Sequence, residues 1–115
     1  MPFPREQLEQ IDATLMAYLE AVRPPVHARP QLDYAYTIAG SSVLLQDVRP
    51  RYNDATKIMV TPFAKATYVK SHNIWRVYWA RADQKWHPYA PTPEVATLEK
   101  FLALEQEDQH GCFHG

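Results

Sequence analysis

Leu8, Ile11, Leu15, Tyr18, Leu19 and Val22 recur at three- and four-residue steps, the spacing of one face of an α-helix. This stripe predicts an amphipathic helix within residues 1–23. Pro4 suits its first turn, where the backbone N–H groups have no helical partner, and Glu6 and Glu9 favour the positive end of the helix dipole. Pro24-Pro25 stops it, because proline disfavours helical geometry in the residue before it and cannot donate to the ladder.

From Leu32 to Tyr89 the period shortens to two, and β-branched and aromatic residues dominate. That pattern predicts an antiparallel meander with strands near 32–39, 43–49, 63–70, 74–81 and 86–89. Gly40-Ser41-Ser42, Ser71-His72-Asn73 and Ala82-Asp83-Gln84-Lys85 fit the turns between them. The polar, proline-broken stretch Arg49 to Ala55 reads as the long connection, and Pro62 as an edge or a bulge. A second helix is expected over 92–106, with Thr92 as N-cap, Pro93 in the first turn and Val95, Leu98, Phe101 and Leu102 on its apolar side. Residues 107–115 form a tail. The expected fold is α+β: an N-terminal helix, an antiparallel sheet of four to five strands and a C-terminal helix, with both helices on one face of the sheet.

The length of 115 residues suits one domain with one small core. A single Cys excludes an internal disulfide and points to a cytoplasmic protein. The mean hydropathy of −0.43, the lack of a run near the ~18 apolar residues of a membrane span, and the lack of a signal-peptide core all argue against membrane or export. The formal net charge of −1 conceals a division, with −2 over residues 1–23, +5 over 24–91 and −4 over 92–115. A basic middle between acidic ends asks for an anionic partner, or for pairing with the acidic helices of the same chain or of a second copy.

Alternation along the fourth strand places Trp75, Val77 and Trp79 on one side, expected to be the core, and Arg76 and Tyr78 on the other. Neighbouring strands are expected to add Lys65, Tyr68 and Lys70 to that second surface, and Arg49, Arg51 and Arg81 are its further basic candidates. Basic groups interleaved with aromatic rings suit nucleic acid, because cations neutralise phosphates while rings stack on unpaired bases. His110, Cys112 and His114 alternate in the tail and offer zinc-type donors, with His87 as a fourth, but the spacing matches no established zinc pattern, so no metal and no cofactor is expected. Asp83 with His87, and Cys112 with a histidine, are the pairs that acid–base chemistry would use. His72, beside Lys70 and Arg76, is the candidate for a small nuclease-like activity, although no linear catalytic motif is present. The leading expectation is a non-enzymatic binding or accessory module. The alternatives are a nuclease-like enzyme and a purely structural homo-oligomer, and the small core makes a homodimer an expected partner.

The run from Ala64 to Pro91 carries Trp75-Arg76-Val77-Tyr78-Trp79 and Lys85-Trp86-His87, with Arg49-Pro50-Arg51-Tyr52 before it and Gly111-Cys112-Phe113 after it. In these residues the chain resembles a bacterial family known as domain of unknown function (DUF) 3024. The resemblance implies a bacterial source and supplies no activity.

Overall fold

A computed structural model of the protein describes residues 3–108 and 111–114. The first helix, α1, runs from Arg5 to Val22 as the stripe predicts and buries Ile11 and Leu15. Arg23 leaves it in an extended conformation, and its guanidinium holds both carboxylate oxygens of Asp33 at 2.9 and 2.7 Å. A single 3-10 turn at Val26–Ala28 leads into the sheet.

The sheet comprises β1 (Asp33–Ala39), β2 (Ser42–Arg51), β3 (Asp54–Val69), β4 (Ile74–Ala80), β5 (Trp86–Pro88) and β6 (Glu94–Val95). Its order is β1-β2-β3-β4-β5, with β6 also on β4 and every pair antiparallel. The three expected turns are present. Gly40 at φ +59° closes β1 onto β2, Asn73 at φ 50° closes β3 onto β4, and Gln84 at φ 62° closes β4 onto β5. Pro62 marks a bulge, as expected: Leu45 pairs with Ala64 and Gln46 with Pro62, so Phe63 is the extra residue. Phe63 and Ala64 are both buried, consistent with a bulge that turns consecutive side chains inward.

Two expectations are overturned. The stretch 49–55 is not a long connection, because β2 continues to Arg51 and β3 begins at Asp54. Together they form a hairpin arm in which Arg49 pairs with Met59 and Pro50 with Ile58. Ladder pairing on the β2–β3 side outweighs the prolines. β4 takes up pairing with β3 only from Ala64 onward, so the outer edge of the arm has no β4 partner. The second helix, α2, spans Leu98–Glu107 rather than 92–106, and Thr97 caps it by accepting the Lys100 N–H at 3.2 Å. Residues near Pro93 are instead drawn onto β4: Glu94 pairs with Arg76, Val95 with Trp75, and the Pro93 carbonyl accepts the Val77 N–H at 2.9 Å. The Val77 carbonyl in turn accepts the Tyr89 N–H at 2.9 Å, so β5 and β6 share one edge and satisfy backbone groups that a helix at 92 would strand.

Both helices lie on one face of the sheet. Ile11 and Leu15 of α1 and Leu98, Phe101 and Leu102 of α2 form one core with Val43, Leu45, Ala64, Ala66, Trp75 and Val77. Ala64 and Ala66 are small, which lets the helix layer approach the middle of the sheet. Trp75 is buried as expected, whereas Trp79 is only partly so and lies at the margin of the core.

The tail is docked. Asp108 ends α2 in the left-handed conformation, and its carboxylate accepts the backbone N–H groups of Phe113 at 3.0 Å and His114 at 2.8 Å. Phe113 is buried with its ring 4.9 Å from that of Tyr89. The His114 ring packs 4.6 Å from Phe63, and its Nε2 meets the carboxylate of Glu105.

Candidate functional site

The face of the sheet turned away from the helices is assembled by register. Lys65 lies opposite Tyr78, and Thr67 opposite Arg76, so all four side chains share one side. Trp86 joins them because it pairs with Ala80, the next residue of that face. The Lys65 ammonium stands 4.7 Å from the centre of the Tyr78 ring and 5.2 Å from that of Trp86, a cation held between two aromatic faces. Partial burial among these rings pushes the Lys65 pKa down, since the charged form is the one that loses solvent. Arg76 is exposed, with Thr67 on one flank and Glu94 on the other.

Lys65, Arg76 and Tyr78 are therefore brought together as expected, and the remaining candidates are dispersed. Tyr68 is a correction. It lies directly opposite Trp75 and so belongs to the helix side, with its ring 5.2 Å from Trp75 and 5.9 Å from Phe3 and its hydroxyl donating to Asn73 Oδ1 at 2.8 Å. Lys70 sits in the exposed turn between β3 and β4. Arg49 faces the helix layer, 3.8 Å from Asp47, and borders a cleft of about 590 Å³ that Tyr18, Glu105 and His114 also line. Arg51 is at the tip of the arm, opposite Asp54. Arg81 turns back over the Trp79 ring at 5.5 Å. The +5 of the middle segment is consequently spread over both faces and the loops, and only two of its cations meet on the open face.

Sequence reasoning missed Trp86 and Glu94 as members of this surface. Trp86 was legible in principle, because a hairpin closed at 82–85 fixes which residue of β5 shares a face with Tyr78. Glu94 was hidden by the expected helix start at Thr92.

His72, His87 and His114 have different partners. His87 Nε2 lies 2.9 Å from Asp83, so that pair does form across the turn. The Asp83 carboxyl is held below its usual range, first by the Lys85 backbone N–H and then by His87. His72 is exposed in its turn, with Nδ1 2.9 Å from the Ser71 hydroxyl. His110 lies outside the described residues. Burial, followed by the nearby Asp108, pushes the Cys112 thiol up. Among the described residues, no three His, Cys, Asp or Glu side chains stand together as a metal would require.

A second constellation has no signal in the sequence, because Tyr18 stands 87 residues from the Glu105 it meets. Glu105 is fully buried, and its carboxylate accepts the Tyr18 hydroxyl at 2.7 Å and the Gln106 amide at 3.1 Å in addition to His114. Burial and the adjacent carboxylate push the Tyr18 phenol far above its usual range, so it stays a donor at any ordinary pH. The cluster ties α1, α2 and the tail into one unit. No described helix is long and apolar enough to cross a membrane.

No curated protein and no solved structure matches the chain. One family does, across residues 3–115, in agreement with the resemblance carried by the β4–β5 hairpin. The chain belongs to that family, the domain of unknown function DUF3024.

Proposed function

We propose that the protein is a non-enzymatic binding module, and that the open sheet face around Lys65, Arg76, Tyr78 and Trp86 contacts a single-stranded nucleic acid. The observation that carries this reading is the Lys65 ammonium poised 4.7 and 5.2 Å from the Tyr78 and Trp86 rings, one strand away from Arg76. Rings on an open sheet stack on unpaired bases of any sequence, while the ammonium and guanidinium meet phosphates. Glu94 beside Arg76 opposes the anion and sets a modest affinity.

Fluorescence anisotropy with labelled single-stranded RNA and DNA tests it. Affinity falls as salt rises, because each neutralised phosphate releases counterions. Arg76→Ala weakens binding and flattens the salt slope by roughly one unit, and Trp86→Ala weakens binding without changing the slope. Glu94→Gln strengthens it, and Arg5→Ala on α1 does nothing. Absence of binding to either polymer at low salt defeats the reading.

A second reading, self-association, is favoured by a separate observation. Ile58, Met59 and Val60 are 70%, 44% and 51% exposed on the projecting β2–β3 arm.

A further inference from the structure

Within residues 54–62 of β3, Asp54 and the run from Ile58 to Pro62 pair with β2 on one side, and the whole stretch lies beyond the pairing of β4 on the other. A two-stranded ribbon is marginally stable alone in water, and an apolar ribbon with an open edge invites a partner. This one presents Ile58, Met59 and Val60 to solvent with Tyr52 fully exposed at its tip.

On the helix layer, a shallow, open groove of about 490 Å³ lies between α1 and α2. Its floor is apolar: Ala17 and Ala103 are small and exposed, with Leu102 beneath them. Thr14 and Glu99, 3.4 Å apart, form part of its rim, and Met16 on α1 is 60% exposed.

The charges of arm and groove are opposite. Residues 46–62, the two strands of the arm, carry Arg49, Arg51 and Lys57 against Asp47 and Asp54, a net +1. Along α1, Arg5 stands against Glu6, Glu9, Asp12 and Glu20, a net −3. Along α2, Lys100 stands against Glu99, Glu107 and the buried Glu105, a net −2. A single chain thus holds both halves of a complementary contact, which is the condition for a reciprocal two-fold dimer.

We infer that two copies of this chain associate with the β2–β3 arm of each lying in the α1–α2 groove of the other. Ile58 and Val60 supply the apolar contact, and Lys57 faces the acidic rim at Glu99. The inference rests on the self-association reading and adds the surfaces it uses. It also uses part of the division of charge along the sequence: the acidic ends form the helix layer, and Arg49, Arg51 and Lys57 of the basic middle lie on the arm.

Sedimentation equilibrium on the full chain tests this. A dimer is expected at low salt, weakening as salt rises because rim charges are screened. Ile58→Asp on the arm and Ala103→Glu in the groove each raise the dissociation constant by about tenfold or more. Both positions are exposed, and an unchanged circular dichroism spectrum and melting curve of the monomer verify the fold. Lys57→Glu weakens the dimer, and mixing it with Glu99→Lys restores association as a heterodimer. A dimer indifferent to Ile58→Asp and Ala103→Glu overturns the arm-in-groove contact while leaving self-association standing. A monomer at every concentration up to several hundred micromolar at low salt overturns both.

Discussion

Consecutive residues of the same strands meet opposite fates on the two faces of this sheet. Val43, Leu45, Ala64, Ala66, Trp75 and Val77, beneath the helices, are buried. Their immediate neighbours Leu44, Lys65, Thr67 and Tyr78 are half-buried, and Arg76 is exposed. Composition alone does not separate the faces, because Leu44, Tyr78 and Trp86 are as apolar as much of the core. What differs is the covering. α1 and α2 deliver Leu15 and Phe101 onto one side, and on the side left open the Tyr78 ring packs against the Lys65 ammonium. Stability belongs to the covered face, and the proposed recognition would use the other, so substitutions at adjacent positions should separate the two.

The largest test uses neighbours on β4. Trp75→Ala removes a buried indole from between Phe3, Tyr68 and the helix layer and is expected to cost about 3–5 kcal/mol. Arg76→Ala, one residue on and facing the other way, is expected to stay within about 0.5 kcal/mol while weakening polyanion binding. Urea unfolding of both variants measures the contrast. A comparable loss of stability at Arg76 would break the division between faces.

A smaller effect compares hydrogen bonds on the two sides. Tyr18→Phe leaves the buried Glu105 carboxylate without its 2.7 Å donor and is expected to cost about 1–3 kcal/mol. On the open face, the 3.0 Å bond from the Thr37 hydroxyl to Gln46 exchanges readily with water. Thr37→Val is therefore expected to change stability by less than about 0.5 kcal/mol. Thermal unfolding of the two variants under one condition decides the matter. Equal effects would show that the Tyr18–Glu105–His114 tie contributes little.

The comparison also explains what the sequence made legible. The alternation of Trp75, Val77 and Trp79 with Arg76 and Tyr78 assigned faces correctly because strand geometry is local. Two turns were found because Gly40 and Asn73 are residue types that tolerate positive φ, and the third from the polar stretch Ala82-Asp83-Gln84-Lys85. The arm was missed because Pro50 and the Asn53-Asp54 pair mimic a loop, and only pairing with β2 shows otherwise. Thr92-Pro93-Glu94 satisfies every local rule for a helix start, yet the unpaired edge of β4 claims Glu94 and Val95. Tyr68 was grouped with Lys65 although the two stand three residues apart on one strand, so alternation itself separates them, and the register sets Tyr68 opposite Trp75. The arm and the displaced helix start are misses of another kind, in which a long-range backbone pairing overrules a local signal.

The smallest predicted effect lies where the layers meet in solvent, and it tests whether an exposed tie matters at all. Arg23, just past α1, clamps Asp33 at the start of β1 through two bonds of 2.9 and 2.7 Å. The Arg23 hydrogen bonds, joined by the Tyr34 N–H, hold the Asp33 carboxyl below its usual range. A depressed folded-state pKa means that the unfolded chain binds the proton more tightly, so the stabilisation is complete above the unfolded value of about 3.9. It is lost as pH falls through the lower folded value. Asp33→Asn is therefore expected to lower the melting temperature slightly and by a constant amount from neutral pH down to about 5, and to converge on the parent in stronger acid. Melting curves at a series of pH values check this. A difference that persisted undiminished at the most acid pH would assign the effect to packing at the head of β1 and not to the charge of Asp33. The contact is solvent-exposed and screened, so raising the salt should shrink the gap further, unlike the gap at Tyr18.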